Sequence, residues 1–163
     1  MEIFSEEQIA SLISRGVSWV TEQRRIHRPD ARPFHDAERK FLEPFWNRDF
    51  LDRVRVKEVE KIEIPPDLAA VLLPGFIGIT FGDTILLRRS TSNVHFHENI
   101  HVAQFDILGV QRFVDAFARG LMSGLTYNEN PLERQALELG RRFMENPNVP
   151  FDAYETVKSG LLK

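Results

Sequence analysis

Cysteine is absent from this chain of 163 residues, which excludes both disulfide bonds and thiolate metal ligands. Positive charge is not in excess either, since 21 Lys and Arg stand against 24 Asp and Glu and the net charge is -3. That balance gives no electrostatic basis for binding nucleic acid. Apolar runs long enough to span a membrane are missing, and the first residues include glutamates instead of the basic region of a signal peptide. We therefore expect a soluble, cytoplasmic protein that binds neither nucleic acid nor a membrane.

The length of the chain favours one domain, because about 150 residues can bury a core without crosslinks. Most apolar residues recur at helical spacing, and one segment has strand character. We predict an α+β fold: a mostly helical single domain, residues 1–163, with a small β-hairpin or sheet packed beside a central helix. Residues 1–33 would form a helix and a connector able to cover a neighbouring site, and residues 54–145 would form the core.

The amino-terminal part is predicted to contain two helices separated by a connector. Ser5 and Gln8 form a capping-box pattern that is followed by apolar residues at helical spacing, so a first helix should run to about Arg25. Residues 27–33 hold two prolines and predict the connector. Residues 37–56 predict a second helix that passes into a short extended piece.

The middle of the chain has the pattern of a β-hairpin. Because β-branched and aromatic residues flank Gly82 and Asp83, a pair suited to a tight turn, we predict strands over residues 76–81 and 84–88. The remainder is predicted to be helical, with one helix from about residue 92 to a stop near Gly109 and others over residues 113–124, 131–145 and 152–162.

The helix before Gly109 carries the sequence HENIH, an HExxH motif. Positions i and i+4 of an α-helix differ by only about 40° of rotation, so His97 and His101 share a face and can reach one ion. Glu98 is rotated by about 100° from His97, which places its carboxylate beside the ion, where a general base would take a proton from metal-bound water. The motif therefore predicts a catalytic zinc site with two histidine ligands and Glu98 as the base.

A simpler interpretation is that these three residues lie on a solvated helix face. Apolar residues occupy most of the remaining positions of this helix, so we expect it to be mostly buried. Burying two histidines and a glutamate is costly unless something such as a cation satisfies them. By the same geometry His95 points away from the pair, and we expect it at the surface and not at the metal.

A catalytic zinc site usually has three protein ligands, so a third must come from elsewhere in the chain. The metzincin motif HExxHxxGxxH is excluded, because Gln104 and Ile107 occupy its glycine and histidine positions. No histidine follows His101. The downstream candidates are carboxylates: Asp106, Asp115, Glu129, Glu133 and Glu138.

Glu133 stands out among these candidates, within the sequence YNENPLE. On a helical wheel it falls on the same side as Ala136 and Gly140, which would face inward. However, Asn130 and Pro131 can begin this helix as cap and first residue, and Glu133 would then be the capping-box partner. From the residues alone, both the ligand and the capping role remain open.

The sequence HENIHVAQ, followed later by YNENPLERQA, resembles the minigluzincins, small bacterial gluzincin-type metallopeptidase domains with HExxH on one helix and a glutamate on a later one. The preceding GITFGDTILL resembles the strand pair that leads into the motif helix in such domains. The likeness covers roughly residues 54–143, so the amino-terminal helix lies outside it. It implies that His97, His101 and Glu133 bind zinc and that Glu98 is the base.

Two further residues are candidates for supporting roles. Gln104 lies one turn beyond His101 on the same side and can orient a ligand as a second-shell residue, or it can be a buried glutamine bonded to backbone. Tyr127 can stabilise a transition-state oxyanion, or it can be a packed aromatic before a helix.

The sequence thus predicts a zinc-dependent metallopeptidase that hydrolyses a peptide or protein substrate through a zinc-activated water. A strand at the edge of the sheet beside the metal would pair with an extended substrate. The alternative is a non-catalytic binding or regulatory module of zincin-like fold, in which zinc only stabilises the structure. The oligomeric state and the cleavage preference are not predicted.

Overall fold

Six α-helices and three β-strands form within residues 4–69, 72 and 75–163, the part of the chain that the computed structural model describes. The helices are α1 (Glu6–His27), α2 (Asp36–Leu42), α3 (Arg48–Arg53), α4 (Ser92–Met122), α5 (Pro131–Glu145) and α6 (Ala153–Leu161). The strands are β1 (Arg55–Glu58), β2 (Gly78–Phe81) and β3 (Thr84–Leu87), and short 3-10 helices cover Arg28–Asp30 and Tyr127–Glu129. The predicted α+β class, mostly helical with a small sheet, is confirmed.

The first helix begins where the capping box predicted it. The Ser5 hydroxyl accepts a hydrogen bond from the Gln8 N–H, and the Gln8 side chain accepts one from the Ser5 N–H. Within the connector, Arg32 exchanges backbone hydrogen bonds of 2.8 and 2.7 Å with Val56. The one helix predicted within residues 37–56 is wrong, because the chain turns after α2 and Asn47 caps a separate helix, α3. The short extended piece predicted to follow it is confirmed as strand β1.

The predicted hairpin is confirmed and belongs to a three-stranded sheet with the order β1-β3-β2. Strand β2 pairs antiparallel with β3 across the turn at Gly82 and Asp83, and Thr80 lies opposite Ile85. Strand β1 pairs parallel with β3 on the other side. As a result, β2 is an edge strand, and it lies against α4.

The motif helix α4 is capped by Thr91, whose hydroxyl accepts from the Val94 N–H. It breaks at Gly109, where φ is 75° and ψ is 162°, a conformation that glycine adopts at little cost. The predicted stop at Gly109 is therefore a sharp change of direction between two helical halves. The first half carries HENIH, and the second half contains Val114 and Ala118, which are buried against α1 and the sheet.

Buried apolar residues form two clusters on either side of α4. The larger cluster joins α2, α3, α5, α6 and the sheet, and at its centre the rings of Phe96 and Phe143 stack 4.3 Å apart. The smaller cluster includes Trp19 and Val20 of α1, which pack near Phe81 of β2. Helix α1 thus contributes side chains to the core, although it lies outside the family resemblance.

The expectation that His95 lies at the surface is wrong. It does point away from His97, but α2 covers that face of α4 and leaves only 1% of His95 exposed. Its Nε2 atom lies 3.1 Å from Oε1 of Glu38 and 2.9 Å from the hydroxyl of Ser90. The helical wheel predicted the direction of the side chain correctly, but it contained no information about which element packs there.

Among the described residues, none of the helices combines the length and the apolar character that crossing a bilayer requires.

Candidate metal centre

Two histidines of α4 and one glutamate of α5 converge beneath the edge of the sheet. The Nε2 atoms of His97 and His101 lie 3.1 Å apart. Oε1 of Glu133 lies 2.9 Å from Nε2 of His97, and its Oε2 lies 3.1 Å from Nε2 of His101. At such separations each residue can reach one ion at the 2.0 to 2.2 Å typical of zinc ligands. The three side chains can therefore hold a metal ion.

The start of α5 explains why Glu133 faces inward. The side-chain oxygen of Asn130 accepts a hydrogen bond of 3.2 Å from the Leu132 N–H and so caps the helix. The amide of Asn130 also donates to the Phe117 carbonyl at 2.8 Å, which ties the start of α5 to the second half of α4. The Glu133 carboxylate makes its contacts with the two histidines and has only 3% exposure. Of the two roles left open by the sequence, the geometry favours the ligand position.

The polar atoms of this trio fit a cation better than they fit one another. Oε2 of Glu133 is buried and accepts no well-aligned hydrogen bond from the described residues, even though Nε2 of His101 lies nearby. The Nε2 atoms of His97 and His101 also face each other at 3.1 Å, so a proton or a cation has to lie between them. A cation between the three groups would satisfy the carboxylate and both lone pairs.

Gln104 determines which nitrogen of His101 is free to bind. Its Nε2 atom donates to the Leu132 carbonyl and to Oε1 of Gln135, each at 2.9 Å. Because a carbonyl can only accept, the Gln104 amide oxygen must be the atom that lies 2.8 Å from Nδ1 of His101. Nδ1 therefore carries the proton, and the Nε2 lone pair points into the site. The predicted bond of Gln104 to backbone is confirmed, and its contact with His101 is the one that ligand orientation would need, although that role stays a prediction.

The pKa values of Glu133 and His101 show that the site favours positive charge beside the carboxylate. Burial raises the pKa of Glu133, but the short contacts with His101 and His97 outweigh it and hold the pKa well below its usual range. Burial lowers the pKa of His101, but the Glu133 carboxylate outweighs it and raises the pKa to about 9. A bound metal ion competes with this proton for the same atoms.

Glu98 lies beside the trio and not within it. It is 4% exposed, and its Oε2 atom accepts a hydrogen bond of 2.7 Å from the hydroxyl of Thr80 on β2. Its other oxygen, Oε1, is close to Gly78 of the same strand. This is the position in which a carboxylate could exchange a proton with water held at the metal position.

Tyr127 lies on the 3-10 helix before α5, with its ring 5.4 Å from Phe76 and 5.5 Å from Phe117. The packed-aromatic role is therefore confirmed. Burial, together with the charges of Glu133 and Glu98 and a hydrogen bond to Glu133, raises the pKa of Tyr127 above its usual range. The phenol stays protonated at neutral pH and can donate, so its role towards an oxyanion stays a prediction.

The other candidates for the third ligand make contacts of their own away from the histidines. Asp106 accepts from Arg53 and Tyr154, and Asp115 accepts from Arg119. Glu129 accepts hydrogen bonds from the N–H and the hydroxyl of Thr126, and Glu138 is exposed. Spacing along the chain could not separate these residues from Glu133, but the fold does.

A cavity of about 110 Å³ opens from Glu98 and His101 between α1, β2 and the second half of α4. Its walls are mostly apolar, with Trp19 on α1 and Phe105, Phe113 and Phe117 on α4. For comparison, an engineered apolar cavity of about 150 Å³ holds a benzene molecule. The cavity therefore suits one apolar group of the size of a leucine or phenylalanine side chain.

Gly78 and Thr80, which lie against the Glu98 carboxylate, and the cavity were not predicted from the sequence. Alternation along a strand does place residues 78 and 80 on one face. The pattern does not show which face meets α4, because that depends on how the sheet packs on the helix. The apolar cavity residues have helical spacing that is indistinguishable from that of an ordinary core.

Comparisons with protein-family models, with curated proteins and with solved structures found no match for this chain. The chemistry of the site is therefore inferred from its residues and their geometry.

Proposed function

We propose that this protein is a zinc-dependent peptidase of the gluzincin type. The observation that carries the proposal is the convergence of His97, His101 and Glu133, with Glu98 buried beside them. Three ligands on two helices leave a coordination position for water, which is typical of catalytic zinc sites and not of structural ones. The resemblance to the minigluzincins supports the same assignment of the four residues.

The donor set favours zinc among the common metals. Two imidazole nitrogens and one carboxylate suit zinc well, whereas calcium and magnesium prefer oxygen ligands throughout. When bound, zinc would lower the pKa of a coordinated water towards 7 and polarise the substrate carbonyl. His101 is prepared for this role because Gln104 holds the proton on Nδ1 and leaves Nε2 free.

Glu98 is the proposed general base. Its carboxylate accepts the proton of the attacking water and can then pass it to the leaving amine nitrogen as the peptide bond breaks. Glu98 is not required to hold the metal, because His97, His101 and Glu133 can supply the three protein ligands. A purely structural site would have no use for a buried carboxylate at this position.

The proposed substrate is an extended peptide with a large apolar side chain next to the scissile bond. Strand β2 is at the edge of the sheet and runs past Glu98, so its free backbone groups can pair with an extended chain. The apolar cavity begins at Glu98 and His101 and offers space for one bulky side chain. Tyr127, which also borders the cavity, is the candidate donor to the oxyanion.

The alternative is a binding or regulatory module in which zinc only stabilises the fold. The observation that favours it is that α1 packs across one wall of the cavity and so restricts the space beside Glu98. A cytoplasmic location and the absence of nucleic-acid and membrane partners stay predictions under both proposals.

The deciding experiment uses zinc-loaded protein on a pool of peptides, with new termini identified by mass spectrometry. The peptidase proposal predicts cleavage beside large apolar residues, no cleavage after zinc removal, and no cleavage by Glu98→Gln with zinc still bound. The module proposal predicts no cleavage by any variant, with His97→Ala lowering the melting temperature and Glu98→Gln leaving it unchanged. Cleavage by Glu98→Gln at the wild-type rate would contradict the peptidase mechanism.

A further inference from the structure

Two residues of β2, Gly78 and Thr80, contact the Glu98 carboxylate from the same side. Because they are two positions apart in a strand, both residues face the same side of the sheet. We propose that Thr80 and Gly78 are positioning residues that hold the Glu98 carboxylate in the orientation a general base needs. This inference rests on the proposed peptidase function, because it concerns the residue assigned as the base.

Thr80 restrains one carboxylate oxygen. Its hydroxyl donates to Oε2 of Glu98 at 2.7 Å and also lies 3.3 Å from the Glu98 carbonyl. Thr80 is 7% exposed and Glu98 is 4% exposed, so the hydrogen bond is shielded from water. A hydrogen bond to a buried charged acceptor is about twice as strong as a neutral one. Among hydrogen bonds between described residues Oε1 receives none, which leaves that oxygen free to take the proton.

Gly78 provides the space for the free oxygen. A Cβ atom at this position would lie 2.8 Å from Oε1 of Glu98 and 3.1 Å from its Cδ and Cγ atoms. The backbone of Gly78 is in an ordinary strand, so alanine would fit the backbone and would clash only with the carboxylate. Glycine is therefore required here for room and not for conformation.

The sheet fixes both positioning residues relative to α4. Gly78 pairs with Leu87 and Thr80 pairs with Ile85 in the antiparallel ladder. Phe81 of β2 is itself only 1% exposed, so a one-residue slip of β2 would move a buried aromatic residue to the other face of the sheet. The edge strand that is proposed to bind the substrate thus also holds the Glu98 carboxylate. The distance between the bound peptide and the general base is therefore fixed by one strand.

The test compares Thr80→Val, which removes the hydroxyl at nearly constant shape, with Thr80→Ser, which keeps the hydroxyl. Thr84→Val is the matched control, because Thr84 is a buried threonine of the neighbouring strand that bonds to Asp83 and not to Glu98. On a cleaved peptide, Thr80→Val should lower kcat by about 10- to 100-fold, as loss of a supporting partner commonly does. The KM, zinc content and melting temperature should change little, Thr80→Ser should restore most of kcat, and Thr84→Val should leave kcat unchanged.

Crystal structures of zinc-loaded wild type, Thr80→Val and Gly78→Ala provide a measurement that does not depend on turnover. The Glu98 carboxylate should move in both variants while His97, His101 and Glu133 stay in place. A carboxylate that keeps its position in Thr80→Val, or an unchanged kcat, would overturn the positioning role. Absence of wild-type hydrolysis with an intact zinc site would instead overturn the peptidase proposal, and the crystal structures would still decide the role of Thr80.

Discussion

The amide oxygen of Gln104 lies 2.8 Å from Nδ1 of His101, one turn earlier on the same helix. This contact selects the tautomer of His101 that offers Nε2 to a metal. Because the opposite end of the amide is bonded to the Leu132 carbonyl at the start of α5, it also links the two helices that supply the ligands. The candidate metal site and the α4–α5 contact are therefore coupled through one buried side chain.

Replacing Gln104 with leucine should weaken zinc binding by about 10- to 100-fold, because the partner that orients His101 is lost. Gln135→Leu is the matched control, since Gln135 bonds to Gln104 but not to His101. Competition with a chelating dye would measure both affinities. Equal zinc affinities for wild type and Gln104→Leu would show that the hydrogen bond to His101 does not orient the ligand.

Filling the cavity should change which peptides are cleaved. Ala118 borders the cavity, so Ala118→Leu should reduce kcat/KM for peptides with leucine or phenylalanine at the scissile bond. A change of one or two methylene groups in such a pocket alters kcat/KM by about 10- to 200-fold. Peptides with alanine at that position should be less affected. Ala116→Leu, on the exposed side of the same helical half, serves as the control; equal effects of the two substitutions would argue against the cavity as a specificity pocket.

The pH dependence of stability should differ between metal-free and zinc-loaded protein. In the metal-free protein, burial lowers the pKa of His101, but Glu133 raises it from 6.5 to about 9, so folding favours the protonated form. This stabilisation is fully present below pH 6.5 and is lost as the pH rises through 9. Zinc must displace that proton, so stabilisation by zinc should increase over the same interval.

Urea unfolding between pH 5.5 and 9.5, with EDTA or with zinc, would measure how the free energy of unfolding depends on pH in the metal-free and in the zinc-loaded protein. The His101→Gln variant provides the control, since it lacks the titrating group in both conditions. Parallel pH profiles for the metal-free and zinc-loaded proteins would contradict the assignment of His101 to the metal.

Removing residues 1–33 should unfold the protein and not simply uncover the site. Helix α1 buries Ile13, Trp19 and Val20, and burial of each such side chain contributes about 1.5 to 3 kcal/mol. That total is a large part of the 5 to 15 kcal/mol that typically separates folded from unfolded domains. Circular dichroism melting would show a broad or absent transition. A truncated protein that melts like the wild type and cleaves peptides faster would instead identify α1 as a dispensable, inhibitory covering segment.

The sequence was sufficient for features that depend on neighbours along the chain. The HExxH motif, the turn at Gly82, the cap at Ser5 and the break at Gly109 are local patterns, and the structure has each where it was predicted. The inward direction of Glu133 was also readable from helical periodicity.

Features that depend on contacts between elements were not predictable in the same way. The burial of His95 depends on α2, and the contacts of Thr80 depend on how the sheet packs on α4. Leu137 shows the limit of a helical wheel. It shares the side of Glu133 by rotation, yet it is 42% exposed because none of the described elements covers that edge of α5. Periodicity gives a direction, and only the assembled fold gives the partner.

The central claim is a three-ligand zinc site, and the most direct test is the metal content of purified protein by elemental mass spectrometry. The protein should be prepared without a histidine tag, beside Glu133→Gln and its matched control Glu138→Gln, which alters an exposed residue of the same helix. The account predicts one zinc per chain in the wild type and in Glu138→Gln, and strongly reduced zinc in Glu133→Gln. No bound zinc in the wild type after reconstitution, or full zinc occupancy in Glu133→Gln, would contradict it.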